Sequence, residues 1–202
     1  MFNKLIFNIH LNTMKKLFRP YLAFLLIGSL LTISSCGNDD DPEPVNEEEL
    51  ITTVTIRLEP NEDAPKGTQT VEATRRDVDG VGGTAPAIGS LVLQSGVTYN
   101  ATLTLQDEQA NEDITEEIQE ENTEHQFFYE VTGADVEVTP TDRDDNGRIL
   151  GIESTVVTGA ATTTPGALRI VLKHQPDGLK TDTSDINTGE TDADVSFPLS
   201  IE

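Results

Sequence analysis

The chain has 202 residues, with 13 Lys and Arg against 36 Asp and Glu, a formal charge of −23, a single Cys and no Trp. This length suits one globular domain with additions and leaves no room for a two-lobed α/β binding protein. So acidic a surface repels phosphate backbones, which excludes nucleic acid as a partner, and a lone Cys cannot build a disulfide framework.

Residues 1–35 hold four basic side chains, Lys4, Lys15, Lys16 and Arg19, and no acid, so the rest of the chain has nine basic and 36 acidic residues and a charge of −27. Met14-Lys15-Lys16-Leu17-Phe18-Arg19 precedes an almost wholly apolar run from Tyr21 to Ile33. That run is short for a permanent membrane span and reads as the hydrophobic part of a secretory signal, with Met14 the more natural start of translation. Ile33-Ser34-Ser35-Cys36 resembles the lipobox of bacterial lipoproteins, an aliphatic residue followed by two small ones and the Cys. The resemblance implies cleavage before Cys36 and acylation of its sulfur. Each buried acyl methylene contributes about 0.8 kcal/mol, so two or three chains hold a protein firmly in a leaflet.

Gly37-Asn38-Asp39-Asp40-Asp41-Pro42-Glu43-Pro44 and Asn46-Glu47-Glu48-Glu49 follow. Like charges and two prolines keep this stretch extended, so residues 36–49 read as an acidic, disordered tether. An acidic cluster just past a lipidated Cys also resembles the export signal of surface lipoproteins of the Bacteroidota. This implies anchoring in the outer membrane at the cell surface, the periplasmic leaflet being the alternative.

From residue 50 the dominant hydrophobic period is two, so residues 50–202 are expected to form one β domain. Val54, Ile56 and Leu58 alternate with polar neighbours, as do Val97, Tyr99, Ala101, Leu103 and Leu105, then Leu168, Ile170 and Leu172, and finally Val195, Phe197, Leu199 and Ile201. Further strands are expected over 69–76, 88–93, 125–131, 134–139 and 149–158. About nine short strands separated by Gly, Asp, Pro and Asn clusters predict an immunoglobulin-like or fibronectin-like β-sandwich. Pro198 places the last strand at an edge or a bulge. The segment from Leu93 through Gly96 and Tyr99 to Leu103 resembles the tyrosine corner of fibronectin type III and related domains. That resemblance implies a crossing between sheets, with the Tyr hydroxyl bonded to upstream backbone.

One helical signal interrupts the strands. Asp113 is the expected N-cap of a short helix, Glu116 its capping-box partner, and Ile114 and Ile118 its buried face. Such an insertion either carries a binding surface or caps the open end of the core.

Asp142-Arg143-Asp144-Asp145-Asn146-Gly147-Arg148, with Glu153 five residues further on, fits the calcium-loop pattern D-x-[DN]-x-[DN]-G-x5-E. The oxygen ligands for Ca²⁺ would be Asp142, Asp144, Asn146, Arg148 through its carbonyl, and Glu153. The flanks are strand-like, and Asp-Asn-Gly is equally a hairpin turn, so both readings stand. A weaker metal candidate is the turn holding Asp77 and Asp79, which could share a cation with the first if both lie at one end of the sandwich. His125 and His174 each share strand parity with apolar neighbours and are expected to face inward at strand ends. They are read as core-capping groups or as the rim of a site for zinc or another ligand.

The sequence has no G-x-S-x-G elbow, no H-E-x-x-H and no P-loop, and no Cys follows Cys36, so a non-enzymatic role is expected. As a whole, residues 14–202 resemble small surface lipoproteins of marine and gut Bacteroidota. The resemblance is carried by Ile114-Thr115-Glu116-Glu117-Ile118, by Glu124-His125-Gln126-Phe127-Phe128-Tyr129 and by Leu172-Lys173-His174-Gln175-Pro176. Chains of this kind sometimes carry the label type 1 periplasmic binding fold, which demands alternating βα units that this sequence lacks. The expected role is a non-catalytic module that uses loops 77–83, 107–124 and 140–148 to bind a glycan, a peptide or an outer-membrane protein. The alternative is a structural envelope lipoprotein without a small ligand.

Overall fold

The computed structural model describes residues 50–80 and 83–202. The expected signal peptide, Cys36 and the acidic tether lie outside the described residues.

The body is an all-β sandwich of two sheets with one short helix. A six-stranded sheet runs in the order β3-β2-β1-β5-β8-β7 and a four-stranded sheet in the order β4-β10-β9-β6. The strands are β1 (Thr53–Pro60), β2 (Val71–Arg76), β3 (Ala87–Ile88), β4 (Leu91–Leu93), β5 (Thr98–Gln106), β6 (His125–Thr132), β7 (Val136–Pro140), β8 (Glu153–Thr158), β9 (Gly166–His174) and β10 (Glu190–Ile201), with α1 (Ile114–Glu120) between β5 and β6. Among the described residues no helix is long and apolar enough to cross a membrane.

The period of two decides which side of each strand is buried. Val54, Ile56 and Leu58 of β1 and Tyr99, Ala101, Leu103 and Leu105 of β5 face Leu168, Ile170 and Leu172 of β9 and Val195, Phe197, Leu199 and Ile201 of β10 in one core. Removing each large aliphatic or aromatic side chain from water contributes roughly 1.5–3 kcal/mol.

Four expected strands are redrawn, the one expected over 134–139 lying at Val136–Pro140. The run 88–93 divides at Gly89-Ser90: β3 pairs antiparallel with β2, whereas β4 pairs parallel with β10 in the other sheet. The strand expected from 149 begins only at Glu153, because the preceding residues bridge the two sheets. There the N–H of Phe127 donates to the Leu150 carbonyl at 2.7 Å and that of Leu103 to the Ile152 carbonyl at 3.0 Å. The run expected from 69 is ladder only from Val71.

Pro198 sits where one side of its strand lacks a partner. β10 meets β9 over Glu190–Leu199 but takes up β4 only from Leu199, so the missing N–H falls at the end of a one-sided stretch. The bulge of this strand lies elsewhere, between Thr191 and Ala193.

The segment from β4 to β5 crosses from the four-stranded to the six-stranded sheet through a turn at Gly96, whose φ of +69° is costly for any residue with a Cβ. Tyr99 is buried in the core, and its hydroxyl accepts the Gln94 N–H at 3.0 Å.

Helix α1 buries Ile114, Thr115 and Ile118. The Asp113 carboxylate caps it by accepting the N–H of Thr115 at 3.0 Å, one residue earlier than the expected capping box. The Thr115 hydroxyl accepts the Leu105 N–H at 2.8 Å and donates to the Leu105 carbonyl at 3.2 Å, pinning the helix to the last turn of β5.

Candidate functional site

The strand register brings the three loops expected to form a surface to one end of the sandwich. Thr53 pairs with Arg76 and Gln106, Thr102 with Glu153, and His125 with His174, so the ends of β2, β5, β7 and β9 and the starts of β1, β6, β8 and β10 lie together. The insertion holding α1 spans this end. On one side, Gln109 donates to the Val78 carbonyl at 2.5 Å and Glu108 pairs with Arg76. On the other, Asn122 accepts the Asp145 N–H at 2.9 Å.

The insertion makes this end strongly anionic. Glu112, Asp113, Glu116, Glu117, Glu120 and Glu121 are exposed. Partial burial, and then crowding by Glu112, Glu121 and Glu120, hold the Glu117 carboxyl above its ordinary range.

In the 142–153 segment, residues 143–149 close as a hairpin turn. The Asp144 N–H donates to the Arg148 carbonyl, the Gly147 N–H returns to the Asp144 carbonyl, and Gly147 has a φ of +80°. The carboxylates have partners within the protein. Asp142 accepts the N–H groups of Gly151 and Ile152 at 2.8 and 2.9 Å, and Oδ1 of Asp144 accepts those of Asn146 and Arg148 at 2.9 and 2.8 Å. Oδ2 of Asp144 lies 2.8 Å from Nζ of Lys180, and both side chains are 0% exposed. Lys180 also donates to the Asn122 carbonyl at 2.7 Å. An ammonium thus stands among the oxygens where a calcium loop would gather its ion, and Glu153 points to solvent from β8. This geometry favours the hairpin turn of the two readings.

Burial pushes the Asp144 carboxyl up, but Lys180 and the two N–H groups outweigh it and hold the acid below its usual range. For Lys180, burial dominates and lowers the amine despite Asp144. The side chain joins three segments, the loop after β9, the end of the insertion and the hairpin.

Asp77 and Asp79 lie at the same end but do not converge with Asp142 and Asp144. Asp77 is buried and pairs with Arg75 at 2.6 Å, while Asp79 accepts the Thr84 N–H at 2.7 Å and so closes its own turn.

His125 and His174 oppose each other directly in the β6–β9 ladder and face inward, as their parity requires. They are only 2% and 5% exposed, so they form no open rim. Their rings stack with centroids 4.7 Å apart and planes 15° from parallel. Nδ1 of His125 lies 3.2 Å from the Glu121 main-chain carbonyl, and Nε2 of His174 lies 3.5 Å from the Glu124 carboxylate. Burial pushes His125 down to about 4, against the pull of the Glu121 carbonyl and with the help of His174 and Lys180. Its imidazole is therefore neutral at neutral pH, and the Asp192 carboxylate 3.8 Å from its Nε2 is no ion-pair partner there.

Sequence reasoning missed Lys180 and Glu121. Lys180 could have been suspected, because only nine basic residues follow position 35 and it stands alone between Gly178-Leu179 and an acidic stretch. Glu121 is one acid among many, and only the fold places it beside the two imidazoles. Comparison with protein-family models, with curated proteins and with solved structures found no match.

Proposed function

We propose that the chain is an outer-membrane lipoprotein, anchored through acylated Cys36 at the cell surface, whose sandwich is a non-catalytic binding module. The anchor rests on the sequence, where the sole Cys follows an apolar run and Ile33-Ser34-Ser35. The observation that carries the binding role is the gathering of the expected loops at one end, bridged by a helix whose carboxylates are exposed. Such a field attracts cationic groups and repels anionic surfaces. A basic peptide, or a basic patch on an outer-membrane protein, is the partner it suits best, ahead of a neutral glycan.

β1 enters the sandwich at this same end, where the Thr52 N–H donates to the Gln106 carbonyl. The 14 residues from Cys36 to Glu49 reach about 50 Å when extended, ample to leave the loops accessible. The alternative, a structural envelope lipoprotein without a small ligand, draws support from the carboxylates of Asp77, Asp142 and Asp144 already being engaged inside the protein.

The full chain in detergent, screened against an oligolysine peptide series and a glycan array, separates the two. Saturable binding of the basic peptides, lost when Glu116, Glu117 and Glu120 are changed to Gln, is the expected result. Binding to neither panel would leave the structural role as the better reading.

A further inference from the structure

Packing alone does not require two stacked imidazoles at the inward end of a β ladder. An apolar pair at His125 and His174 would close the core without removing ring nitrogens from water, which is costly unless they are bonded. Glu121, just past the end of α1, brings a carboxylate to the same place. One ligand atom from each of Glu121, His125 and His174 lies within 4.8 Å of the other two.

We infer that Glu121, His125 and His174 form a binding site for a divalent first-row transition ion, with Zn²⁺ the reference case and water completing its coordination on the side of the exposed Glu121. Two imidazole nitrogens and one carboxylate oxygen suit Zn²⁺, Ni²⁺ or Cu²⁺, whereas Ca²⁺ and Mg²⁺ take oxygen ligands.

Bonds of about 2.0–2.1 Å place tetrahedral ligand atoms roughly 3.3 Å apart, so a set spread over as much as 4.8 Å draws together when it binds. The exposed Glu121 side chain can swing toward the rings, and the imidazoles can turn about their own side-chain bonds while the ladder holds their backbones in register. The groups around the rings are of the kind that orient metal-bound imidazoles, each held at one nitrogen with the other left to ligate: the Glu121 carbonyl at Nδ1 of His125 and the Glu124 carboxylate at Nε2 of His174. The charge balance also suits a cation. Glu121, Glu124 and Asp192 lie beside the pair, and the Lys180 ammonium is neutralised by Asp144. This inference does not rest on the lipid anchor and is tested on the purified chain whatever its location.

The full chain in detergent, stripped with a chelator and dialysed, is titrated with Zn²⁺ by calorimetry and with Co²⁺ by visible absorption. We expect one saturable equivalent of Zn²⁺, undisturbed by a large excess of Ca²⁺, a higher Tm, and a visible Co²⁺ band reporting nitrogen ligation. Glu121→Gln, a substitution at an exposed position, should weaken Zn²⁺ about tenfold or more, and His174→Gln should abolish the Co²⁺ band. The proposal is overturned by the absence of saturable uptake, by uptake that Ca²⁺ displaces, or by affinity unchanged in Glu121→Gln.

Discussion

The two ends of the sandwich are closed by different chemistry. At the end holding Tyr99, neutral hydrogen bonds seal the core. The Tyr99 hydroxyl takes the Gln94 N–H, and the Thr158 hydroxyl accepts the Val97 N–H at 2.9 Å and donates to the Gln94 carbonyl at 2.7 Å. Glu202 is held there by the Ser95 N–H, which donates to its carbonyl, and by its own N–H, which donates to the Leu93 carbonyl. At the opposite end, the loop end, the seal consists of a fully buried Lys180–Asp144 pair and two stacked imidazoles. Both arrangements fill space and satisfy polar groups, but the second does so with a buried ion pair and two imidazoles, at a cost that packing does not require. The difference marks the loop end as the part of the molecule where chemistry, and not closure alone, shapes the side chains.

The comparison can be broken most severely at Lys180. Lys180→Met leaves Asp144 buried without its cation, which should cost about 3–5 kcal/mol and lower Tm by roughly 10 °C in thermal unfolding. Adding Asp144→Asn removes the stranded charge and should restore much of the loss, whereas additive effects would mean that the two side chains do not depend on each other.

Acid should then separate the two ends. Because the folded state holds His125 at about 4 against an ordinary 6.5, its contribution is complete above 6.5 and declines as pH falls toward 4. The slope is about 1.4 kcal/mol per pH unit, roughly 3 kcal/mol in all. The groups facing His125 are His174, Glu121, Asp192 and Lys180, with Glu124 on the far ring, beside His174. Denaturant melts in chelator from pH 7 to 4 should be steeper in pH for the wild type than for His125→Phe. Equal slopes would mean that His125 is not held neutral.

Tyr99→Phe probes the other end. It removes the acceptor of the Gln94 N–H and should cost about 1–3 kcal/mol, read as a lower denaturant midpoint in the same melts. The smallest effect is expected from calcium. With Asp142 and Asp144 committed to N–H groups and Lys180, adding Ca²⁺ to the stripped chain should leave Tm unchanged, and an upward shift would restore the calcium-loop reading of 142–153.

Much of this architecture was legible because strand parity is a strong signal. Val54-Ile56-Leu58 and Val195-Phe197-Leu199-Ile201 could only be half-buried strands, and His125 and His174 inherited an inward direction from their neighbours. The short helix was legible from Asp113, Ile114 and Ile118. The division of 88–93 was not, since Gly89-Ser90 looks the same in sequence whether the chain continues in one sheet or changes to the other. Nor was the bend over 149–152, where Leu150 and Ile152 are as apolar as a strand but serve to bridge two sheets. The loop end was the least legible part. The calcium pattern records oxygens at alternate positions and is blind to an ammonium arriving from position 180. The meeting of Glu121 with His174 depends on register between segments more than fifty residues apart.

Under the proposed function, what the loop end would meet depends on the proposed acylation of Cys36. Intact-mass and N-terminal peptide spectrometry of the chain extracted from membranes tests this directly. The expected polypeptide begins at Cys36 and carries a diacylglyceryl group on its sulfur. A chain with an unmodified Cys36 thiol, or one recovered lipid-free from the culture medium, would contradict the account.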